Sequence, residues 1–316
     1  MALVPFLDNL DGGKIHVQAP TGVIFLCGGM FTGVDEPNPV SLRDAFLKIA
    51  DFPSTRSRNV IQAEDFTKLS VFSEHYENIL EFETDLAQIT ELIILFCESG
   101  GSLAELGAFC AIDEIASRLF VIVEDKYWSD DSFVKLGPLT YLSKRHGDDR
   151  VCVISSEDII RIDQYRVTAD PSRLKALLEE PIKYHVEKEK SSTTFNENNP
   201  GHIIKLIVGV LQEWGALTIN EIDEVLLHLN VYVKTEKIRA YLLCAISVGW
   251  VHEVRRGIKT FYVAADLEKD AAQIKAAPQA REKKKERRRL SIREHWQNED
   301  QNRWAGIQAV MSGAVR

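Results

Sequence analysis

The stretch LIILFCESGGSLAELGAF, Leu92–Phe109, decides the fold of this 316-residue chain. Leu92–Phe96 is a run of five large apolar residues. Such a run indicates a strand buried on both faces, as in a parallel sheet covered by helices. Two adjacent glycines follow and let the chain turn sharply out of the sheet. Ser102 is then expected to cap a helix that begins near Leu103 and carries Glu105 in its first turn.

Four other apolar runs predict further strands of the same sheet. Segments with apolar residues at three- and four-residue spacing lie between them and predict helices. This alternation is typical of an α/β fold with a Rossmann-like parallel sheet, in which ligands bind beyond the carboxyl ends of the strands. We therefore expect the loops at Gly28-Gly29, Asp65 and Glu98–Ser102 to meet at one edge. The four runs are Val23–Cys27, Asn59–Gln62, Leu119–Val123 and Val151–Ile154.

These loops supply the candidate substrate-contacting residues. Backbone amides after the first strand could face a phosphate or a ribose, although two glycines are also typical of an ordinary turn. Asp65 is equally well interpreted as a helix cap. Glu105 also fits a capping box, S-x-x-E, with Ser102, but its setting at a glycine turn after the most buried strand favours a catalytic role. The candidates are Cys27, Gly28, Gly29, Met30, Asp65, Glu98, Ser99, Gly101 and Ser102.

The second half of the chain predicts a separate, mainly helical module. The polar segment 186–200 is interpreted as a linker. Three amphipathic helices follow, Ile203–Trp214, Ile219–Leu229 and Thr235–Val248, and then two short strands joined by a basic turn that contains glycine. This is the element order of a winged helix-turn-helix. We thus predict domains at 1–185 and 201–266, and a basic C-terminal helical tail at 267–316.

The third of these helices would enter a groove of a nucleic acid, and the turn between the strands would contact phosphates as a wing. Basic residues of the tail could follow a nucleic-acid backbone. Many winged helices are protein-docking modules, and charge runs are usually solvated helix faces, so these alternatives stay open. The candidate residues are Lys234, Lys237, Arg239, Arg255, Arg256, Lys259, Lys284 and Arg288.

The glycine turn followed by AELGAF resembles the nucleophile motif of the nucleoside 2-deoxyribosyltransferases, and the resemblance covers roughly residues 20–160. It implies that Glu105 is the nucleophilic carboxylate. It also implies a second acid eight residues before an acidic position at the start of the buried strand. Glu83 stands eight residues before Glu91, although the family has Asp there. Glu98 lies near a further family acid that contacts the base, with a spacing to the nucleophile that differs by one.

Over nearly the whole chain, the motifs IFLCGG, AEDF and LIILFCESGGSLAELGAF, followed by the winged helix, resemble the effector toxins of bacterial retrons. This resemblance implies anti-phage defence by an N-glycosidase that cleaves NAD or a related nucleotide and uses no further cofactor. It also implies partners that keep the toxin inactive, as in a toxin–antitoxin pair. These partners are the retron reverse transcriptase and its multicopy single-stranded DNA, a DNA–RNA hybrid.

Charge is divided unevenly between the two halves of the chain. Residues 1–190 hold 19 Lys and Arg against 32 Asp and Glu, whereas residues 191–316 hold 19 against 15. The acidic half repels polyanions, so a nucleic acid should meet the C-terminal half.

Other bulk features exclude several classes of protein. The five cysteines are scattered and form no cluster with histidine that would bind zinc, so we expect no metal site. No apolar run reaches the roughly 18 residues of a membrane span, and the N-terminus lacks the features of a secretory signal. We therefore expect a cytoplasmic protein without membrane contact.

Two other functions fit parts of the sequence. A winged-helix transcriptional regulator would sense a nucleotide in the α/β domain without cleaving it. A housekeeping deoxyribosyltransferase would exchange bases between nucleosides, but it has no need of a winged helix and a basic tail. The sequence leaves open whether the enzyme hydrolyses or transfers, and whether it forms a homo-oligomer.

Overall fold

The computed structural model describes residues 4–20, 22–33, 35–49, 51–67, 72–188 and 191–314. The chain divides into two compact units, each assembled from separated segments. The sheet unit comprises Thr21–Lys68 and Thr90–Glu189. The C-terminal unit comprises Met1–Pro20, Leu69–Ile89 and Lys190–Arg316.

Strands are spread along the whole chain and form four sheets within the described residues. In chain order they are β1 (Leu10–Val17), β2 (Val23–Cys27), β3 (Asn59–Ile61), β4 (Leu92–Cys97), β5 (Leu119–Glu124), β6 (Val151–Ile154), β7 (Ile159–Arg161), β8 (Val167–Ala169), β9 (Thr193–Thr194), β10 (Ala216–Leu217), β11 (Val251–Arg256), β12 (Lys259–Ala264) and β13 (Ala272–Ala276).

The longest helices lie in the second half of the chain. In chain order the α-helices are α1 (Val4–Leu7), α2 (Leu42–Leu47), α3 (Glu64–Thr67), α4 (Phe72–His75), α5 (Ile79–Ala87), α6 (Gly100–Cys110), α7 (Asp113–Ala116), α8 (Asp125–Ser129), α9 (Thr140–His146), α10 (Pro171–Glu187), α11 (Pro200–Trp214), α12 (Ile219–His228), α13 (Thr235–Ser247), α14 (Lys285–Glu299) and α15 (Gln301–Met311). None of the helices in the described ranges is both long and apolar enough to span a bilayer.

A five-stranded parallel sheet forms the centre of the sheet unit. Its strand order is β3-β2-β4-β5-β6, and each neighbouring pair is parallel. β4 is the central strand, and all of its residues are buried, as its apolar run predicts. Apolar residues of α2 and α10, among them Phe46 and Leu178, join one core with residues of the sheet. The predicted α/β fold with a parallel sheet is confirmed.

Helices and two antiparallel sheets form the C-terminal unit. Helices α11, α12 and α13 are followed by the β11–β12 hairpin, which is the predicted order of elements. The hairpin turns at Gly257, where a φ of +61° favours glycine. β10 pairs with β12, so that the short strand between α11 and α12 extends the hairpin into a three-stranded sheet.

The compact units differ from the predicted continuous domains. β1 pairs with β13 and with β9, and α4 and α5 pack against α13, so parts of the predicted domain 1–185 belong to the C-terminal unit. The predicted linker contains β9, and the predicted tail contains β13 as well as two helices. Pairing between such distant segments leaves no local pattern in the sequence, which is why local patterns predict continuous domains.

Candidate active site

Three chain segments leave the parallel sheet at its carboxyl edge. β2 lies between β3 and β4, and Cys27, the last residue of β2, is opposite Leu95 of β4. The residues that follow these three strands therefore emerge on the same side of the sheet, where ligands bind in open α/β folds. They are residues 28–33, residues 62–63 ahead of α3, and Glu98 and Ser99 ahead of α6.

Helix α6 begins at Gly100, earlier than predicted. Ser99 is its N-cap, because the Ser99 Oγ accepts the Ser102 N–H at 3.2 Å. The Ser102 Oγ accepts the Ser99 N–H at 2.9 Å, which closes a capping box within the first turn. Glu105 thus lies in the second turn, where backbone N–H groups are already used inside the helix. The alternative in which Glu105 caps its own helix with Ser102 is wrong.

Glu105 is half-buried and holds an unsatisfied acceptor. Its Oε2 is buried and has no hydrogen-bond partner within the described residues. Burial raises the pKa of Glu105 to about 7, the positive charge of Arg43 opposes this rise, and the negative charge of Glu64 adds to it. A buried, unsatisfied carboxylate is costly, and a pKa near neutrality is typical of groups that bind or transform a ligand.

Arg43 and Glu64 form a charged cluster with Glu105. Arg43 lies in the first turn of α2 and is only 3% exposed. Its Nη2 donates to the Oε1 of Glu64 at 2.6 Å, and its Nε has no partner in the part of the chain that the structure describes. Glu64 is the first residue of α3 and its side chain is 46% exposed. The cluster thus combines a buried cation with one half-buried and one exposed carboxylate.

The sequence predictions missed both Arg43 and Glu64. One signal could have identified Arg43, because it follows the Ser41 cap at the start of a helix. Positive charge is unfavourable there, where the helix dipole is itself positive, so a buried arginine in this place needs an anionic partner. Glu64 carries no comparable signal, since AEDF is also an ordinary helix start.

Glu98 is tied to the backbone rather than open to a ligand. Its Oε1 accepts the N–H groups of Gly29 and Arg43, each at 3.1 Å, and its Oε2 accepts the Leu42 N–H at 2.6 Å. Burial raises the pKa of Glu98, and these three hydrogen bonds oppose the rise. Both carboxylate oxygens therefore hold the loop after β2 against the start of α2, which argues against the predicted contact of Glu98 with a base.

The two glycines after β2 are required by close packing. Gly28 has a φ of +142°, and a Cβ on it would lie 2.8 Å from the Cβ of Phe96. A Cβ on Gly29 would lie 2.6 Å from the Oε1 of Glu98, which also receives the Gly29 N–H. The Gly29 amide is therefore occupied by the protein itself. This explains the glycine pair by packing and argues against the predicted use of the Gly29 amide for a phosphate.

The remaining predicted substrate-contacting residues differ in their exposure. Cys27 is buried, whereas Met30 is 57% exposed at the same edge. Asp65 is exposed and lies inside α3 rather than capping it, and the end of its predicted helix, at residue 69, lies outside the described residues. Gly101 is exposed in the first turn of α6. Met30, Asp65 and Gly101 can thus reach a ligand at this edge.

Glu83, the predicted second acid, belongs to the C-terminal unit. It lies on α5 and is 7% exposed. Residues 69–89 cluster with the C-terminal segments, although in sequence they stand between β3 and β4. Glu83 therefore stays a prediction, and the acid that lies in the same unit as Glu105 and acts on its charge is Glu64.

Among the residues predicted to contact a nucleic acid, some side chains are exposed and others form ion pairs within the C-terminal unit. Lys237 forms ion pairs with Glu81 and Asp85, at 2.5 and 3.0 Å. Arg288 is 5% exposed, and its Nε donates to the Oε1 of Glu213 at 2.7 Å. These two bases are paired inside the unit because acidic groups of neighbouring helices pack against them, which argues against their predicted phosphate contacts. The exposed or partly exposed members are Lys234, Arg239, Arg255, Arg256, Lys259 and Lys284.

Known proteins resemble this chain over most of the region described above. A profile of the family described as "STM3845 retron effector protein" matches residues 39–253. The "Retron Ec73 putative ribosyltransferase/DNA-binding protein" of Escherichia coli is 24% identical over 223 residues, which are 67% of this chain and 69% of that protein. The "Retron Ec86 putative ribosyltransferase/DNA-binding protein" of Escherichia coli is 34% identical over 122 residues, which are 38% of this chain and 37% of that protein. The residues matched by the profile contain the Glu105 cluster.

Proposed function

This chain belongs to the STM3845 retron effector family, and on that premise we propose that it is an N-glycosidase acting through Glu105. Its substrate is NAD or a related nucleotide, and the bond it breaks joins the base to the ribose. The names of the two relatives support chemistry at a ribose carbon, since both contain the word ribosyltransferase. In this proposal the sheet unit is a nucleoside deoxyribosyltransferase-like domain, and helices α11 to α13 with their hairpin are a winged helix.

One observation carries the proposal: at the carboxyl edge of the sheet, the buried Oε2 of Glu105 has no hydrogen-bond partner among the residues that the structure describes. A structural glutamate would use that oxygen in a hydrogen bond, as Glu98 does with both of its own. With a pKa of about 7, the carboxyl group of Glu105 is ionised in a large fraction of molecules near neutral pH. It can then attack or stabilise an electron-poor carbon.

The reaction follows from the charge that develops on the sugar. As the bond between the base nitrogen and C1′ breaks, its electron pair leaves with the base and the ribose ring becomes positively charged. The carboxylate of Glu105 forms a bond to C1′ or shields it electrostatically until water attacks. Water then supplies the hydroxyl group at C1′ and a proton is released. Where Glu105 has formed an ester, its bond to C1′ breaks in this step and the carboxylate is restored.

The neighbouring charges and the leaving group fit this sequence of steps. The nicotinamide of NAD leaves as a neutral ring, so strong acid assistance is unnecessary. Arg43 keeps part of the Glu105 population ionised, and Glu64 is exposed enough to contact the hydroxyl groups of the sugar. Met30, Asp65 and Gly101 line the same edge and would contact the remainder of the nucleotide.

The proposed control of this activity lies with the other retron components. We assign that role to the retron reverse transcriptase and its multicopy single-stranded DNA, which would meet the exposed basic residues of the C-terminal unit. Release from these partners would start nucleotide cleavage during phage infection.

We expect purified protein to release a free base from NAD or from a nucleotide, and Glu105→Gln to lose this activity by about three orders of magnitude or more. The loss is expected because glutamine cannot form the ester or carry the charge. The rate should rise with pH through about 7, as Glu105 loses its proton. The assay is chromatographic detection of the free base, together with growth and NAD content of cells that express the protein alone.

The matched control is Glu114→Gln, an exposed glutamate in the sheet unit soon after α6. It should retain full activity and full toxicity. Base release that is equal in the Glu105→Gln variant and the parent protein would contradict the proposal, as would toxicity of the Gln variant without any change in nucleotides.

A further inference from the structure

A cavity of about 320 Å³ is lined entirely by residues of the C-terminal unit. Its walls come from the last part of α11, the strand β13 and the start of α14. β13 is an edge strand of its sheet in the described part of the chain, because it pairs with β1 alone. The volume is within the range of sites that hold small ligands, from about 300 Å³ upward.

The lining of this cavity carries more positive than negative charge. It includes five basic and two acidic side chains. The acidic pair is Glu213 and Asp270, and the basic side chains are Lys275, Lys283, Lys285, Arg288 and Arg289.

The two carboxylates are shared among three cations. Glu213 accepts from the Nε of Arg288 at 2.7 Å and from the Nε of Arg289 at 3.2 Å. Asp270 accepts from the Nη2 of Arg289 at 2.9 Å and from the Nζ of Lys285 at 2.7 Å. Each arginine is less than 8% exposed. The two arginines are thus balanced by the two carboxylates, and Lys285, whose side chain is 36% exposed, adds one positive charge to the network.

Two further lysines add to this excess. Lys275 and Lys283 line the cavity and are exposed. Arg293, one helical turn beyond Arg289, has a pKa lowered by burial and by the charge of Arg289. The surroundings thus repel an additional cation and attract an anion.

Most of the cations that line the cavity lie in the first two turns of α14, where the positive end of the helix dipole makes further positive charge unfavourable. α14 begins at Lys285 in the run KKKERRR, residues 283–289, and the side chain of its N-cap residue, Lys284, makes no capping hydrogen bond. The positive end of a helix dipole favours acids rather than bases. A bound anion would relieve this repulsion, so the run and the cavity point to the same kind of ligand.

We propose that this cavity is a phosphate-binding site that holds the phosphate group of a nucleotide or of a nucleic-acid strand. Lys275 and Lys283 would bind the phosphate through charge-assisted hydrogen bonds, and the paired Arg288, Arg289 and Lys285 supply the surrounding positive charge. The volume admits a phosphate with part of its attached sugar. The proposal is independent of catalysis by Glu105, since the cavity lies in the C-terminal unit.

The test measures the melting temperature of the full chain with four probes: inorganic phosphate, pyrophosphate, ADP and a short 5′-phosphorylated single-stranded oligonucleotide. The Glu105→Gln background keeps the nucleotide probe intact during the measurement. Chloride and acetate at equal ionic strength are the reference. We expect at least one phosphate probe to raise the melting temperature above both references, with a dissociation constant measurable by calorimetry.

The decisive variant is Lys275→Ser with Lys283→Ser, because both side chains are exposed and their removal spares the buried ion pairs. We expect its affinity for the phosphate probe to fall about tenfold. Lys269→Ser, an exposed base of the same unit outside the cavity lining, is the matched control and should bind as the parent does.

The probes separate the two sources of phosphate. Binding of ADP or pyrophosphate supports a free nucleotide, and binding of the oligonucleotide alone supports a nucleic-acid strand. Failure of every phosphate probe to exceed chloride would overturn the proposal. Equal affinity in the parent and the double lysine variant would overturn it as well.

Discussion

Glu98 and Glu105 stand seven residues apart and emerge at the same edge of the sheet, yet their oxygens meet different partners. Burial raises the pKa of both carboxyl groups. Three backbone N–H groups oppose the rise for Glu98, whereas Glu105 has only the longer-range charge of Arg43. The first arrangement stabilises the fold, and the second leaves one oxygen of Glu105 without a hydrogen-bond partner among the described residues.

We expect Glu105→Gln to stabilise the protein at alkaline pH. The carboxyl group of Glu105 ionises near pH 7 in the folded protein and near about pH 4.3 in an unfolded chain. Stability therefore falls as pH rises between these values, because the unfolded state has already lost the proton. The loss is at most about 4 kcal/mol, at roughly 1.4 kcal/mol per pKa unit. The Gln variant should melt several degrees higher than the parent at pH 8, measured by calorimetry.

At pH 5 the melting temperatures of the parent and the Gln variant should nearly coincide, because Glu105 is then largely protonated. Glu114→Gln, at an exposed position, should show no pH-dependent difference of this kind. A difference between the parent and Glu105→Gln that is the same at pH 5 and pH 8 would show that burial does not raise the pKa of Glu105.

Single residues differ in how far the sequence predicts them. Glu105 is marked by the glycine turn and the AELGAF motif, and the structure has it on the helix that follows the most buried strand. Arg43 and Glu64 come together only because α2 and α3 follow different strands, and no local spacing encodes their contact. Arg288 looks like part of a solvated charge run, but the distant Glu213 makes its burial favourable.

At the scale of elements, α5 packs against α13 on the side of α13 that carries Lys237. This lysine pairs with Glu81 and Asp85 of α5, and the same Asp85 accepts from the hydroxyl of Tyr76 at 3.1 Å. The same hydroxyl lies 3.1 Å from the carbonyl oxygen of Ala240 on α13, so its single hydrogen is shared between these two acceptors. This polar network anchors α5 on the predicted recognition helix, so any nucleic acid meets other residues of that helix.

We expect Glu98→Gln to destabilise the sheet unit by about 1–3 kcal/mol. Its carboxylate accepts three N–H groups, whereas the amide of glutamine offers a single acceptor oxygen and turns a donor toward an N–H. The connection between the loop after β2 and the start of α2 would then be broken. Urea unfolding measures the change.

Glu180→Gln is the matched control for this measurement, since Glu180 lies on α10 of the same unit and its side chain is 80% exposed. It should change the unfolding free energy by less than about 0.5 kcal/mol. Equal stability of Glu98→Gln and Glu180→Gln would mean that the three hydrogen bonds contribute nothing to the fold.

Elements with strong periodicity are the ones that the sequence predicts well. β2, β4, β5 and the helices α11 to α13 agree with their apolar patterns within a few residues. β1 is not among the predictions, because its sequence LDGGKIHV lacks a clear alternation and depends on pairing with β13. The predicted start of α6 was too late for a different reason. Ser99 and Ser102 stand three residues apart, and the sequence allows either of them to be the N-cap.

At the scale of the whole molecule, charge directs a polyanion toward the C-terminal half of the chain. The first 190 residues carry 32 acidic side chains against 19 basic ones, and the rest carries the opposite excess. Arg255 and Lys259 of the β11–β12 hairpin are exposed. They are therefore the strongest candidates for phosphate contact outside the cavity described above.

We expect Arg255→Ala with Lys259→Ala to weaken binding of a DNA hairpin by about tenfold at low salt. The slope of log affinity against log salt concentration should become shallower by about 2, because two fewer counterions are released. Fluorescence anisotropy of a labelled hairpin at several salt concentrations gives both values.

Lys144→Ala with Lys183→Ala removes the same charge from exposed positions of the sheet unit and serves as the control. It should leave the salt dependence unchanged. A salt slope that is the same for the hairpin variant and for the parent protein would place the nucleic acid elsewhere on the protein.

The interleaving of segments along the chain also sets an order of events during translation. Residues 21–68 and 90–189 have all left the ribosome once residue 189 has emerged, so the sheet unit can then fold, whereas β1 and α5 must wait for β13 and α13. At about 5–20 residues per second, β1 waits for its partner strand for roughly tens of seconds. During that interval, apolar side chains of β1 and α5 lack the partners against which they pack in the finished protein. They include Ile15, Val17, Phe82 and Leu86, which are all buried there. The unit that carries Glu105 is thus assembled before the C-terminal half of the chain has been synthesised.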